Sequence, residues 1–189
     1  MPFQAAAVGD QAAPAIHAGQ TQDFYWKCHT VAELRDYRDG SLLRRIEDYG
    51  NILVYGGASL LWEYAIGNGS TSTGSAKHYL NSKCSLGIGN STAAAVNTQK
   101  VLSGGSKIFK IMSAGFPTHT TGSTIAGAAQ FTLKSTFTTA QANFAWGEWG
   151  VFSIATTAAV QRMINRKVGV LLTKTSAATA SLTVTLTLA

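Results

Sequence analysis

Only nine of the 189 residues are acidic, and seven of them precede residue 50: Asp10, Asp23, Glu33, Asp36, Asp39, Glu47 and Asp48. Beyond that point only Glu63 and Glu148 remain. General acid–base chemistry on paired carboxylates needs two such groups held across a cleft. Here the candidates fall on an expected helix and inside a Trp-rich strand. No Gly-x-Ser-x-Gly elbow promotes any of the many serines. The histidines His17, His29, His78 and His119 show no i, i+4 pair, and there is no Cys-x-x-Cys, so no zinc signature is present. Two cysteines, Cys28 and Cys84, are too few for a disulfide framework, and free thiols are expected. No run approaches the roughly 20 apolar residues of a membrane span, and residues 1–19 lack the basic and apolar regions of a signal peptide. The expectation is a soluble chain made in the cytosol, with no catalytic, metal or cofactor site.

Charge is scarce altogether, at 13% of residues, with a net value of +6. The basic residues after residue 50 are dispersed; the densest cluster runs from Arg162 to Lys167. A nucleic-acid surface shows clustered Lys and Arg with interleaved aromatics. This cluster reads instead as a solvated or partner-pairing edge, and an acidic neighbouring protein suits the charge at least as well as DNA. No specific nucleic-acid or membrane partner is expected.

What the chain has in abundance is Gly, Ala, Ser and Thr, together with 10% aromatics. The octet Ser181 to Leu188 alternates hydroxyl and aliphatic side chains without a break, which places Leu182, Val184, Leu186 and Leu188 on one face of a half-buried strand. Phe131, Leu133, Ser135 and Phe137 alternate with Thr132, Lys134, Thr136 and Thr138 in the same way. Further strands are expected at Leu42–Ile46, Ile52–Tyr55, about Leu86, Lys107–Met112, Phe144–Ile154 and Met163–Leu172. In the Phe144 strand, Phe144, Trp146 and Glu148 fall on one face and Trp149 on the other. A Thr30-x-x-Glu33 capping box with Gly40 as a stop predicts a helix over Val31–Asp39, and Leu60, Leu61, Tyr64 and Ala65 predict a second over Ala58–Ile66. Ser70–Ala76 and Thr118–Thr124 read as loops. Together these predict a mainly β chain, an antiparallel β-sandwich or jelly-roll-like barrel with two short helices and an extended N-terminal arm.

Residues 1–22 show no periodicity and read as an arm; Phe24-Tyr25-Trp26 reads as a first strand or as an aromatic anchor that docks the arm, with packing against the chain's own core as the alternative. The division is therefore an arm over residues 1–30 and a single β-rich domain over 31–189. Leu86-Gly87-Ile88-Gly89-Asn90-Ser91-Thr92 has neither the third Gly of a dinucleotide fingerprint nor a Gly-Lys-Ser/Thr, and reads as a turn closing a strand. Glu148, flanked by Trp146 and Trp149, is costly to bury alone, so a basic partner such as Arg162 or Arg166, or exposure at a subunit contact, is expected. Trp62, Trp146 and Trp149 fill a core or an interface, with a carbohydrate-stacking role as the alternative.

The order of motifs from about residue 50 onward resembles a family of tailed-bacteriophage virion structural proteins. The matching pieces are Asn51-Ile52-Leu53 with Leu60-Leu61-Trp62, then Leu86 to Thr92 with Gln99, and Met112-Ser113-Ala114-Gly115-Phe116-Pro117. They continue with Ala142 to Trp149, Ile164-Asn165-Arg166-Lys167 and Thr173 to Ala178. Residues 1–49 lie outside the resemblance, and Ser70–Lys83 looks like a local variant. The resemblance implies a non-enzymatic virion component. The expectation is a capsid decoration (cement) protein on the capsid exterior, binding the major capsid protein and itself as a homotrimer. Assembly candidates are Phe24, Tyr25, Trp26, Trp146, Glu148, Trp149, Arg162 and Arg166. A neck, tail or fibre-associated subunit is the alternative, followed by a host-surface glycan binder and by an enzyme such as a wall hydrolase.

Overall fold

In the computed structural model the described residues are 26–54, 57, 84–119, 130–153 and 163–188. They form ten strands: β1 (Trp26–Asp36), β2 (Leu42–Tyr49), β3 (Ile52–Leu53), β4 (Ser85–Gly89), β5 (Lys107–Ile111), β6 (Thr118–His119), β7 (Gln130–Phe137), β8 (Glu148–Phe152), β9 (Met163–Val168) and β10 (Ala178–Leu188). All pairings are antiparallel and give two five-stranded sheets. The first has the order β2-β1-β10-β7-β6 and the second β3-β9-β8-β4-β5.

The alternation in Ser181 to Leu188 has its expected effect. Leu182, Val184 and Leu186 are buried, while Ser181, Thr183, Thr185 and Thr187 lie half-buried on the opposite face. β10 is central in its sheet, pairing along its length with β1 and with β7. Leu133 and Phe137 of β7 and Cys28 and Ala32 of β1 share its apolar face, and this cluster meets Leu86, Ile88, Trp149, Val151 and Ile164 of the second sheet. Each such aliphatic or aromatic side chain, fully buried, contributes about 1.5–3 kcal/mol of transfer free energy. The sheets are also stitched by hydrogen bonds: Ser135 Oγ of β7 donates to the Lys110 and Ile111 carbonyls of β5 at 3.1 and 3.0 Å.

The helix expected over Val31–Asp39 is not formed; Val31–Asp36 belongs to the eleven-residue strand β1 and Tyr37–Asp39 to the turn after it. Its buried Cys28, Thr30 and Ala32 alternate with His29, Val31 and Glu33. A four-residue capping pattern carries about 1 kcal/mol, less than two ladders of backbone pairing with β2 and β10 supply. Gly40, expected to end a helix, takes φ +73° in the β1–β2 turn, a left-handed conformation that suits glycine. The second expected helix, over Ala58–Ile66, and residues 1–25 of the arm lie outside the described residues. Thr118 and His119, expected in a loop, pair with β7.

The strand expected over Phe144–Ile154 is shorter and differently phased. β8 begins only at Glu148, and Ala145 makes an isolated bridge to Thr173. Trp146 therefore does not share a face with Glu148. It enters the core beside Trp149, sets its ring edge-on to Phe137 with centroids 5.2 Å apart, and donates from Nε1 to the Ala142 carbonyl at 3.0 Å.

Candidate functional site

β4, β8 and β9 place one charged cluster on the face of their sheet opposite the shared core. Glu148 opens β8, and Arg166 lies on the neighbouring β9 opposite Gly150. Both side chains are 0% exposed, and Arg166 Nε donates to Glu148 Oε2 at 2.7 Å. Of the two basic partners expected for Glu148, Arg166 is the one present; Arg162 is outside the described residues.

The remaining valences of the pair are filled by the long β4–β5 connection, residues 90–106. Glu148 Oε1 accepts from the Gly104 amide at 2.6 Å, and Oε2 accepts from the Ser103 amide at 3.2 Å. Arg166 donates through Nη1 to Gln99 Oε1 at 2.7 Å and to the Ala94 carbonyl at 3.2 Å, and through Nη2 to the Ala93 carbonyl at 3.0 Å. Gln99 Oε1 also accepts from the Val96 amide at 2.9 Å, and its Nε2 donates to Ser103 Oγ at 3.0 Å. A buried ion pair offsets its desolvation only when its other donors and acceptors are met, and here the connection meets them. What results is a clamp holding an irregular chain segment against the sheet.

The glycines of β4 make room for it. A Cβ on Gly89 would overlap Glu148 Oε1, and one on Gly87 would come within 2.6 Å of the Phe152 ring. The Gly87-Ile88-Gly89 run thus clears one face of β4 for neighbouring side chains and cradles no phosphate. Beside the clamp, Phe152, Met163, Val54 and Leu102 form a second small apolar cluster, with Phe109 edge-on to Phe152 at 4.9 Å.

A register shift between Val151 and Phe152 marks a bulge in the β8–β9 pairing, and next to it the Val151 amide donates to Asn165 Oδ1 at 2.9 Å. Asn165 Nδ2 and Trp149 Nε1 are buried without a hydrogen-bond partner. A second buried cation, Lys174, caps another loop: its Nζ donates to Asn143 Oδ1 at 2.6 Å, to the Thr175 carbonyl at 3.2 Å and to the Thr139 carbonyl at 3.3 Å. Burial lowers its pKa from the ordinary lysine value. Lys174 is not among the candidate site residues read from the sequence; the signal that could have flagged it is a lone cation in a segment otherwise made of Thr, Ser and Ala.

Of the assembly candidates, Trp146, Glu148, Trp149 and Arg166 are wholly buried, so they expose no side-chain surface. Trp26 opens β1; Phe24 and Tyr25 lie outside the described residues, as do Trp62 and Glu63. His29 and His119 sit on different strands, and no cluster of three His, Cys, Asp or Glu side chains that could hold a metal occurs among the described residues. Cys28 and Cys84 are free and buried, and burial pushes both thiols up to about 12. No helix among the described residues is long and apolar enough to cross a membrane.

Comparison with protein-family models, with curated proteins and with solved structures returns no match.

Proposed function

We propose that the chain is a non-enzymatic structural component of a tailed-phage virion, a β-sandwich that decorates and stabilises the major capsid lattice. The observation that carries the static part of this reading is the clamp. Glu148, the one carboxylate after residue 50 within the described residues, is fully occupied by Arg166 and two loop amides. A reactive carboxylate needs a free lone pair facing a substrate; this one fixes a loop whose Val96 and Val101 remain about half exposed. A rigid loop presenting small and apolar side chains suits a contact made many times on a repeating surface, where weak contacts add by avidity. The virion assignment rests on the ordered motif resemblance between residue 50 and the end of the chain, and the major capsid protein and further copies of the chain are the partners it implies.

Electron microscopy of the particle that carries this chain tests the reading. Density for the chain on every capsid face, outside the major capsid protein, is the expected result. Density confined to a single ring at one vertex would make it a neck or tail subunit, and absence from the particle would overturn the virion reading altogether.

A further inference from the structure

β2 is the one long strand among those described with a neighbour on only one side. Among the described residues it pairs with β1 alone, on one side. Its side chains are exposed on both faces apart from the half-buried Ile46 and Asp48, and Leu42, Leu43 and Tyr49 are exposed by 48%, 54% and 67%. Such an edge is a template for another strand unless its side chains oppose the pairing.

We propose that this edge is a two-fold contact between two copies of the chain, formed by antiparallel β2–β2 pairing about an axis at Ile46. The sequence of the strand, Leu42-Leu43-Arg44-Arg45-Ile46-Glu47-Asp48-Tyr49, is self-complementary about that residue and about no other. A dyad perpendicular to the sheet keeps each face on its own side and so pairs residues of like parity. Centred on Ile46, it sets Arg45 against Glu47 of the second copy, Arg44 against Asp48 and Leu43 against Tyr49. Centred on Arg45 it opposes the two Arg45 side chains, and centred on Glu47 the two Glu47 side chains; like charges directly opposite destabilise a ladder.

The backbone phase agrees. Gly50 N–H donates to the Cys28 carbonyl at 2.8 Å, which fixes alternate residues of β2 from Arg44 to Asp48, beyond the bulge at Leu43, as bonded to β1 and turns the N–H and C=O of Arg45 and Glu47 outward. These are the rungs that the Ile46 dyad brings opposite each other. Tyr49 closes the ladder, because its amide already meets Asp48 Oδ1 at 2.8 Å and its carbonyl accepts from Lys167 Nζ at 2.7 Å. Arg45 already lies 2.6 Å from Glu47 of its own strand, so the dyad merges two pairs into a ring of four alternating charges. β5, the longer of the two edge strands of the other sheet, carries Lys107 and Lys110 and no acid, and has no such self-complementary register. A two-fold contact is isologous and cannot by itself close a three-fold ring, so a trimer of this chain would use a different surface. The contact depends on β2 alone and is independent of the virion reading.

The test uses the full chain with two charge-inverted variants, Arg44→Glu/Arg45→Glu and Glu47→Lys/Asp48→Lys, each checked for a cooperative melt. Sedimentation velocity over a dilution series is expected to show the parent passing from monomer to dimer, each variant alone shifted at least tenfold toward monomer, and the equimolar mixture dimeric again. A parent that stays monomeric, variants that self-associate like the parent, or a mixture that fails to recover would overturn the proposal. Should either variant lose its cooperative melt, Ile46→Cys decides. Mild oxidation is then expected to give a disulfide-linked dimer at a rate well above that of Val170→Cys, an exposed control; equal rates would overturn the dyad. Cys28 and Cys84, buried with thiols pushed up to about 12, contribute no background at neutral pH.

Discussion

Arg166 Nε meets Glu148 Oε2 at 2.7 Å on the covered face of β8 and β9, and neither side chain reaches solvent. Removing one partner of such a pair leaves a buried charge uncompensated, which costs about 3–5 kcal/mol. Arg166→Met and Glu148→Leu are each expected to fall in that range, measured by urea unfolding at neutral pH. Exchange of the two for apolar residues, often neutral for a simple buried pair, is expected to recover only part of the loss here. The Ser103 and Gly104 amides and the Ala93 and Ala94 carbonyls lose their partners in the double variant as well. Hydrogen exchange should locate the residual loss in residues 90–106.

Gly89→Ala and Gly104→Ala press on the same carboxylate from two directions. The added Cβ at Gly89 runs into Glu148 Oε1, and that at Gly104 comes within 2.7 Å of the Asn90 backbone nitrogen. Overpacking of this kind costs about 1–3 kcal/mol. Gly105→Ala, with nothing within 4 Å of its Cβ, is the control and is expected to change the thermal midpoint little.

Val184→Ala tests the centre of the other sheet. Val184 pairs with Thr30 and Leu133 and is 0% exposed. Truncating a buried aliphatic side chain leaves a cavity and costs about 2–5 kcal/mol for the larger ones, with valine toward the lower end. The neighbouring Thr183→Ala, on the half-buried face, is expected to cost far less by the same denaturation measurement.

Acid should loosen the outer face of the β1–β2 hairpin before the core. Hydrogen bonding from Arg45, and then from His29, holds the Glu47 carboxyl below its ordinary value of 4.5, and Arg38 does the same for Asp36, below 3.8. A carboxyl depressed in the folded state contributes stability that is complete above its unfolded value and lost as pH falls through its folded value. Glu47 is exposed and Asp36 half-buried at the end of β1, and water screens both, so the effect is small. Urea midpoints taken from about pH 5 downward are expected to fall less steeply in Glu47→Gln than in the parent.

The thiols give a sharper yes or no. At neutral pH neither Cys28 nor Cys84 should react with a thiol probe in the folded chain, and both should react once denaturant unfolds it, because burial disfavours the thiolate in each.

The strands whose side-chain facing could be read from sequence are those in which one face is buried and the other is not. β7 and β10 meet that condition; alternation located β7 within a residue, and β10 at its C-terminal end, though the strand starts three residues earlier than Ser181. β4 and β8 do not: every residue of both is buried, so period 2 disappears and the aromatic residues before Glu148 read as strand although the chain turns there. The capping box at Thr30 misled for a related reason, since four residues carry local preference while β1 is held by partners far away in sequence. The charge pair was legible in part. Glu148 between two tryptophans called for a basic partner or exposure at a subunit contact, and Arg166 was one of the two cations named. That Gln99 and the loop amides would complete the pair depends on how residues 90–106 cross the sheet, which no local pattern encodes.

The position of β10 also constrains the order of events during synthesis. β1 and β7 do not touch each other as ladder partners; each pairs with β10, which follows both in chain order. On the ribosome, then, the β1–β2 hairpin waits with an open edge while residues 50–177 are made, and β7 while residues 138–177 are made; the first sheet closes only when Ala178–Leu188 emerges to be inserted between them. Folding of that sheet is therefore a late, long-range step, and a ribosome stalled upstream of β10 should carry a chain that proteases cut readily in β1 and β7.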